Sequence, residues 1–121
     1  VGTPYLDEIN TVEAEFLVEK GFEVLDIQGL NLATGTEMGC VTPAYWKQFA
    51  LEIDSPDADA IFLSCGGIRS AEVAQEIEAM AGKPVITSNQ AQMWSCLRRA
   101  GITDTIAGFG QIFTKPGESL S

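Results

Sequence analysis

The chain of 121 residues contains no histidine, and that absence excludes more chemistry than any motif supplies. Without imidazole the chain cannot by itself carry a Ser-His-Asp triad, a Cys-His protease pair or a histidine metal centre. Proton transfer falls to Cys, Asp, Glu, Lys or Tyr. Positive charge is scarce as well: 7 Lys and Arg stand against 17 Asp and Glu, a formal net charge of −10. Nucleic acid and anionic membrane surfaces are therefore poor partners, and an anionic substrate must be held by local groups. No apolar run approaches the ~18 residues of a membrane span, and no basic segment followed by an apolar one marks a signal peptide; a cytoplasmic location is the expectation. The three cysteines, Cys40, Cys65 and Cys96, are odd in number and lack metal-ligand spacing, which points to reduced thiols and away from disulfides or zinc. There is no phosphate-binding glycine loop, no internal repeat and no dinucleotide fingerprint, Gly108-Phe109-Gly110 being an isolated pair of glycines.

What is present reads as a single α/β domain over residues 1–121, with 45% hydrophobic and 20% charged residues. Apolar runs alternate with amphipathic stretches, the pattern of a parallel sheet covered by helices. The expected architecture is a three-layer sandwich: a mainly parallel, four-stranded Rossmann-like sheet with helices on both faces. Ile9, Val12 and Phe16 recur at helical spacing within Leu6 to Lys20, and Gly21 is a good stop. Residues 22–27 read as a strand, and Gln28 to Val41 as a long polar loop of functional character. Pro43 opens a helix whose Tyr45, Phe49 and Ile53 share a face with Trp46 beside them. A strand ends at Cys65, and a helix from Arg69 to Gly82 presents Val73, Ile77 and Met80 to the core. Lys83 to Thr87 is a strand entered through Pro84, and a helix to about Ala100 follows, with Asn89 and Gln92 spaced as a capping box. Ile102 to Phe113 reads as a short strand or irregular return, and Lys115 to Ser121 as a flexible tail. Val1 to Tyr5 resembles the end of a strand, from which a fragment or processed chain with a shortened first strand is expected. Such a strand invites pairing or self-association.

Cys65 is the most informative residue. It closes the run Ala60-Ile61-Phe62-Leu63-Ser64, precedes Gly66-Gly67, and stands before a helix. A strand that stops in a glycine turn before a helix leaves backbone N–H groups pointing outward, where they favour a thiolate or a bound carboxylate. The plain alternative is a small buried hydrophobe. In open α/β sheets ligands bind beyond the carboxyl ends of the strands, and three such ends carry hydrogen-bonding groups. They are Thr3 with Tyr5, Ser64 and Cys65 with Gly66 and Gly67, and Thr87 with Ser88 and Asn89. Turn-forming and capping roles compete at Thr3, Tyr5, Ser88 and Asn89, and Arg69 reads as a solvated arginine before a carboxylate ligand. Cys40 and Cys96 have weaker contexts.

Three motifs in order, Thr3-Pro4-Tyr5-Leu6-Asp7-Glu8-Ile9-Asn10, Ser64-Cys65-Gly66-Gly67-Ile68-Arg69-Ser70, and residues 83–91 with Trp94, resemble the aspartate/glutamate racemase superfamily. The branch they are most similar to is that of maleate cis-trans isomerases, arylmalonate decarboxylases and ectoine-utilisation proteins. The resemblance covers nearly the whole chain and implies the C-terminal half of a two-lobed enzyme with its active site between the lobes. It implies no cofactor and no metal, a small carboxylate or dicarboxylate substrate, and catalysis by Cys65 as nucleophile or acid/base. Tyr5 then matches a tyrosine that hydrogen-bonds a substrate carboxylate, the backbone after Cys65 matches an oxyanion-binding loop, and Asn31 is a loose match to a substrate-contacting asparagine. Thr3, Ser64, Gly66, Gly67, Ser88 and Asn89 complete the expected substrate contacts. The expected partners are an N-terminal lobe of the parent protein or further copies of the chain, and the chain alone is expected to have little activity. The contrasting function is a non-catalytic small-carboxylate-binding or regulatory module with an inert Cys65.

Overall fold

Pairing along one very short strand sets the architecture. In the computed structural model, which describes residues 1–114, β1 (Gly2–Thr3) lies between β2 (Gln28–Gly29) and β3 (Ile61–Leu63). β4 (Val85–Thr87) forms the far edge, so the order is β2-β1-β3-β4. Every pairing is parallel: Gly2 faces both Gln28 and Leu63, and Ile61, Phe62 and Leu63 face Val85, Ile86 and Thr87. The helices are α1 (Asp7–Glu19), α2 (Gly35–Cys40), α3 (Pro43–Ile53), α4 (Ala74–Ala81) and α5 (Ser88–Arg99). The chain steps from β1 to β2 in one direction and from β2 to β3 and β4 in the other. Right-handed crossovers therefore put α1 on one face and α3 with α4 on the opposite face, and α3 and α4 pack against each other. The expected four-stranded parallel α/β sheet is the observed one.

The core forms on the α3–α4 side. Trp46 and Ala50 of α3, Ile61 and Leu63 of β3, Val85 of β4, and Ile68, Val73, Ala74 and Ile77 make one buried cluster. Strand alternation sends Phe62 and Ile86 to the other face, where they are half-buried. Gly2 lets α3 close on the sheet. A Cβ there would stand 2.9 Å from Ile53 Cδ1 and from Leu63 Cδ2, so a side chain would push the helix away.

Several local expectations shift, each for a packing reason. The strand expected over 22–27 is displaced to Gln28–Gly29. The register sets Gln28 opposite Gly2; just before it the Asp26 carbonyl accepts from the Val1 amino group at 2.8 Å, and Phe22 and Leu25 face solvent. The loop expected from Gln28 to Val41 holds β2 and α2. There the Thr34 hydroxyl accepts from the Glu37 N–H at 3.2 Å and the Glu37 carboxylate accepts from the Thr34 N–H at 3.0 Å, a capping box that was legible as T-x-x-E. On α5 the box is Thr87 with Gln90, two residues before the expected one, because Thr87 in extended conformation both ends β4 and caps the helix.

On α3 the inward face is centred on the buried Trp46 and Ala50, with Phe49 and Ile53 half-buried beside them against the sheet, so that of the expected stripe only Tyr45, 51% exposed, turns outward. Val73 belongs to a 3₁₀ turn (Ala71–Val73) that precedes α4. The inward face of α4 is consequently Ala74, Ile77 and Ala81, and Met80 is exposed. On α1, Ile9, Val12 and Phe16 are all exposed and the polar Asn10 is the buried residue. Residues 102–113 form an irregular return ending in a 3₁₀ turn (Gln111–Phe113). It is tied back by the buried Arg98, which donates to the Ile102 carbonyl at 2.8 Å, and by Glu78, whose carboxylate accepts from the N–H groups of Val85 and Gln111. The expected tail from Lys115 lies outside the described residues. Among those described, no helix is long and apolar enough to cross a membrane.

The unequal burial of Trp46 and Tyr45 on α3 is measurable. Trp46→Ala should lower the unfolding free energy by about 3–5 kcal/mol, and Tyr45→Ala by no more than about 0.5 kcal/mol, in paired urea titrations. A larger loss at Tyr45 would contradict this packing.

Candidate active site

The carboxyl ends of β1, β3 and β4 bring the chemistry to one edge of the sheet. β3 continues through Ser64, whose N–H donates to the Gly2 carbonyl at 2.9 Å. The ladder therefore extends one residue beyond Leu63 and then breaks at Cys65, whose φ is 131°. That region is closed to most side chains, and a non-glycine residue there carries backbone strain of about 1–3 kcal/mol. Surrounding hydrogen bonds hold the conformation. The Cys65 N–H donates to Ser88 Oγ at 3.0 Å, and the Gly67 N–H donates to Cys65 Sγ at 3.3 Å. Cys65 is half-buried against the core cluster, and Gly66 and Gly67 are exposed. The thiol thus sits between packed protein and open surface, with glycine backbone beside it.

Tyr5 supplies the second functional group. Its phenol is pushed up to about 12, first by burial and then by its hydrogen bond with Cys65 and the charge of that neighbour, with Ser64 acting in the opposite sense. At neutral pH it is a proton-bearing donor beside the sulfur. The backbone of Tyr5 is clamped on both sides: its N–H donates to Thr3 Oγ1 at 3.1 Å, and its carbonyl accepts from Asn31 N–H at 3.1 Å. Leu30 and Leu32 N–H groups bind the carbonyls of Thr3 and Pro4 in the same run. Asn31 itself has φ 58° and is exposed.

The other expected residues divide into those the fold gathers and those it does not. Ser64 is buried with its hydroxyl at Tyr5. Ser88 ties down the Cys65 turn, and Asn89 Oδ1 comes within 3.4 Å of where a Gly66 Cβ would be. Thr3 lies beneath the site and not in its wall: it is fully buried, and its hydroxyl donates to Asn10 Oδ1 at 2.5 Å while accepting from Tyr5 N–H. Arg69 is outside, paired through both guanidinium edges with Glu72. Cys40 and Cys96 are exposed. Asn10 and Gly29 were not among the expected site residues, and Thr87, expected at the pocket's strand end, is the buried cap of α5. The capping role of Thr87 was recoverable from T-x-x-Q, and Asn10 from its place inside a helix, where asparagine is a poor former. A cavity of about 650 Å³ lies between α1 and residues 24–27, and another of about 360 Å³ is lined by Leu30, Leu32, Cys40, Val41, Thr42 and Tyr45. Neither takes in Cys65. Among the described residues no group of three or more Cys, Asp or Glu could hold a metal ion.

The parallel α/β fold and the sequence place the chain in the aspartate/glutamate racemase-like superfamily. The sequence model of the arylmalonate decarboxylase family matches residues 1–113, and the chain belongs to that family. It is 30% identical over 119 residues to the arylmalonate decarboxylase of Bordetella bronchiseptica, covering 93% of this chain and 48% of that protein. To the maleate isomerase of Nocardia farcinica it is 27% identical, covering 91% and 44%. A crystal structure of arylmalonate decarboxylase superposes with a TM-score of 0.82 at 31% identity over 92% of this chain and 50% of that one. The Nocardia farcinica maleate cis-trans isomerase bound to TRIS gives 0.89 at 25% identity over 93% and 46%. The chain spans about half the length of the curated relatives it matches.

Two outcomes follow from this geometry. Cys65→Gly should exceed Cys65→Ala in unfolding free energy by about 1 kcal/mol, because glycine relieves the positive φ that alanine keeps; equal urea midpoints would show the turn to be unstrained. The raised phenol of Tyr5 links stability to alkaline pH. Between the ordinary value of 10.0 and about 12, the unfolded chain loses the proton that the folded chain keeps. This contribution is complete below pH 10 and lost as pH rises through 12. Tyr5→Phe should flatten that part of the stability profile, and an unchanged slope would place the phenol in solvent.

Proposed function

We propose that the chain is the cysteine-bearing lobe of a cofactor-independent isomerase, racemase or decarboxylase acting on a small carboxylate, with Cys65 as nucleophile or acid/base. The observation that carries this reading is the Cys65 thiol at the broken end of β3, held by Ser88 and the Gly67 N–H, with Tyr5 beside it and Gly66-Gly67 open. The names of the relatives support the reaction class, and one structure of the Nocardia farcinica maleate cis-trans isomerase carries a covalently bound succinylcysteine intermediate. Another structure, of the Pseudomonas putida S16 maleate isomerase, holds maleate.

Two reactions fit the groups present. In an isomerisation, the thiolate adds to one carbon of a double bond conjugated to a carboxylate, and the electron pair moves onto that carboxylate as an enediolate. Tyr5 O–H and backbone N–H groups of the glycine turn meet the developing charge. Rotation about the new single bond and expulsion of the thiolate restore the double bond. In a decarboxylation, carbon dioxide leaves a malonate and the Cys65 thiol delivers its proton to the resulting enediolate carbon. Both use one thiol and one phenol. Racemisation needs a second acid/base on the opposite face of the substrate, which in our reading comes from the remainder of a longer protein or from a second copy. Ser88 and Asn89 then shape the near wall, Ser64 supports Tyr5, and the chain alone turns over little. The same reading places the protein in the cytoplasm, with no cofactor.

Thiol labelling tests the assignment. Iodoacetamide should alkylate Cys65 at neutral pH, and millimolar maleate or malonate should slow that reaction, as read by peptide mass spectrometry. Labelling of Cys40 and Cys96 with Cys65 inert would favour the non-catalytic module.

A further inference from the structure

The reactive edge rests on a buried polar pair that the chemistry does not itself use. Asn10 lies in α1, whose large apolar residues Ile9, Val12 and Phe16 all point outward, yet its own amide is turned in and almost wholly buried. Burying an amide costs free energy unless it is hydrogen-bonded, and asparagine is a weak helix former. Its partner is the Thr3 hydroxyl, which is fully buried and donates to Asn10 Oδ1 at 2.5 Å. With that proton committed, the hydroxyl oxygen accepts the Tyr5 N–H at 3.1 Å. β2 is shaped around the same group: a Cβ on Gly29 would clash with the Tyr5 carbonyl and stand 2.5 Å from Asn10 Nδ2 and 3.0 Å from Thr3 Oγ1. Three elements, β1, α1 and β2, thus converge on one hydroxyl next to Tyr5.

We propose that Asn10 is a positioning residue for the Tyr5–Cys65 pair, acting through the buried Thr3 hydroxyl on the Tyr5 backbone. The inference rests on the reading of Cys65 and Tyr5 as the reactive pair. Asn10 orients the Thr3 hydroxyl so that its lone pair faces the Tyr5 N–H. With the Tyr5 carbonyl held by Asn31 N–H, the Tyr5 backbone is restrained on both sides, which sets the point from which its phenol reaches toward the sulfur. Thr3 accordingly serves the site from below and offers no proton to a ligand.

The test uses the full 121-residue chain carrying Cys40→Ser and Cys96→Ser, which leaves Cys65 as the sole thiol. The rate of its alkylation by iodoacetamide at neutral pH is the readout, and urea midpoints report packing separately. Tyr5→Phe should slow alkylation about tenfold, the lower end of what a hydrogen bond to an anion contributes. Thr3→Val and Asn10→Ala should slow it by the same factor and add nothing further when combined with Tyr5→Phe. Thr3→Ser, which keeps the hydroxyl, should restore the parent rate. If Thr3→Val does not fold, Asn10→Ala carries the comparison. Parent-like rates in Thr3→Val and Asn10→Ala, with Tyr5→Phe slow, would overturn the positioning role and leave the site reading intact. Equal slowing in Thr3→Ser and Thr3→Val would overturn it too, by showing that only packing matters. An unaffected Tyr5→Phe would remove both the positioning role and the reactive pair.

Discussion

The ladder around Gly2 is the contact on which the rest depends. Its carbonyl accepts from Ser64 N–H on one side, while the same short strand pairs with Gln28 and Gly29 on the other. β1 has only two residues, yet it occupies an interior place in the sheet. Because Gly2 has no side chain, Phe49 and Ile53 of α3 can close on it beside Leu63. This contact brings the end of β1 alongside the end of β3, and only then is Tyr5 next to Cys65. Functional chemistry and core packing are therefore set by one set of backbone hydrogen bonds.

Backbone strain and side-chain support meet at Cys65. Its positive φ turns the chain out of the sheet immediately after Ser64, so that sulfur and glycine backbone face the same side. Such a conformation persists only where neighbours over-determine it, and here Ser88 and the Gly67 N–H do so. The cost is of the order expected for strain at a functional position, and the benefit is a thiol that the regular strand would have buried. A second layer lies underneath, where Thr3 and Asn10 satisfy one another and fix Tyr5. Residues expected as ligand contacts therefore separate into those at the open edge of the sheet and those that hold them from beneath.

The alternation of apolar runs and amphipathic stretches was enough to read the parallel α/β sheet, because strand and helix periods are local properties of the chain. The placement of Cys65 between a strand end and Gly66-Gly67 was legible for the same reason, and so were Tyr5 and Ser88 at neighbouring strand ends. Which helix face is buried was less legible. Tyr45, Phe49 and Ile53 form an apolar stripe with Trp46 beside it, and only packing against the sheet and α4 centres the buried face on Trp46 and Ala50 and turns Tyr45 out. The apolar stripe of α1 was equally misleading, since Ile9, Val12 and Phe16 face out while Asn10 faces in.

Residue order alone thus determined the class of fold, the thiol at a strand end and the absence of any imidazole chemistry, since each follows from residue type and spacing within a dozen positions. Tertiary structure decided the rest: that Gln28 and not Phe22 meets β1, that Thr3 is an internal support, and that the phenol of Tyr5 reaches a sulfur 60 positions away in the chain. These outcomes hang on strand register and on close approach between elements. Both are properties of surfaces brought together from distant parts of the chain, and no local pattern encodes them.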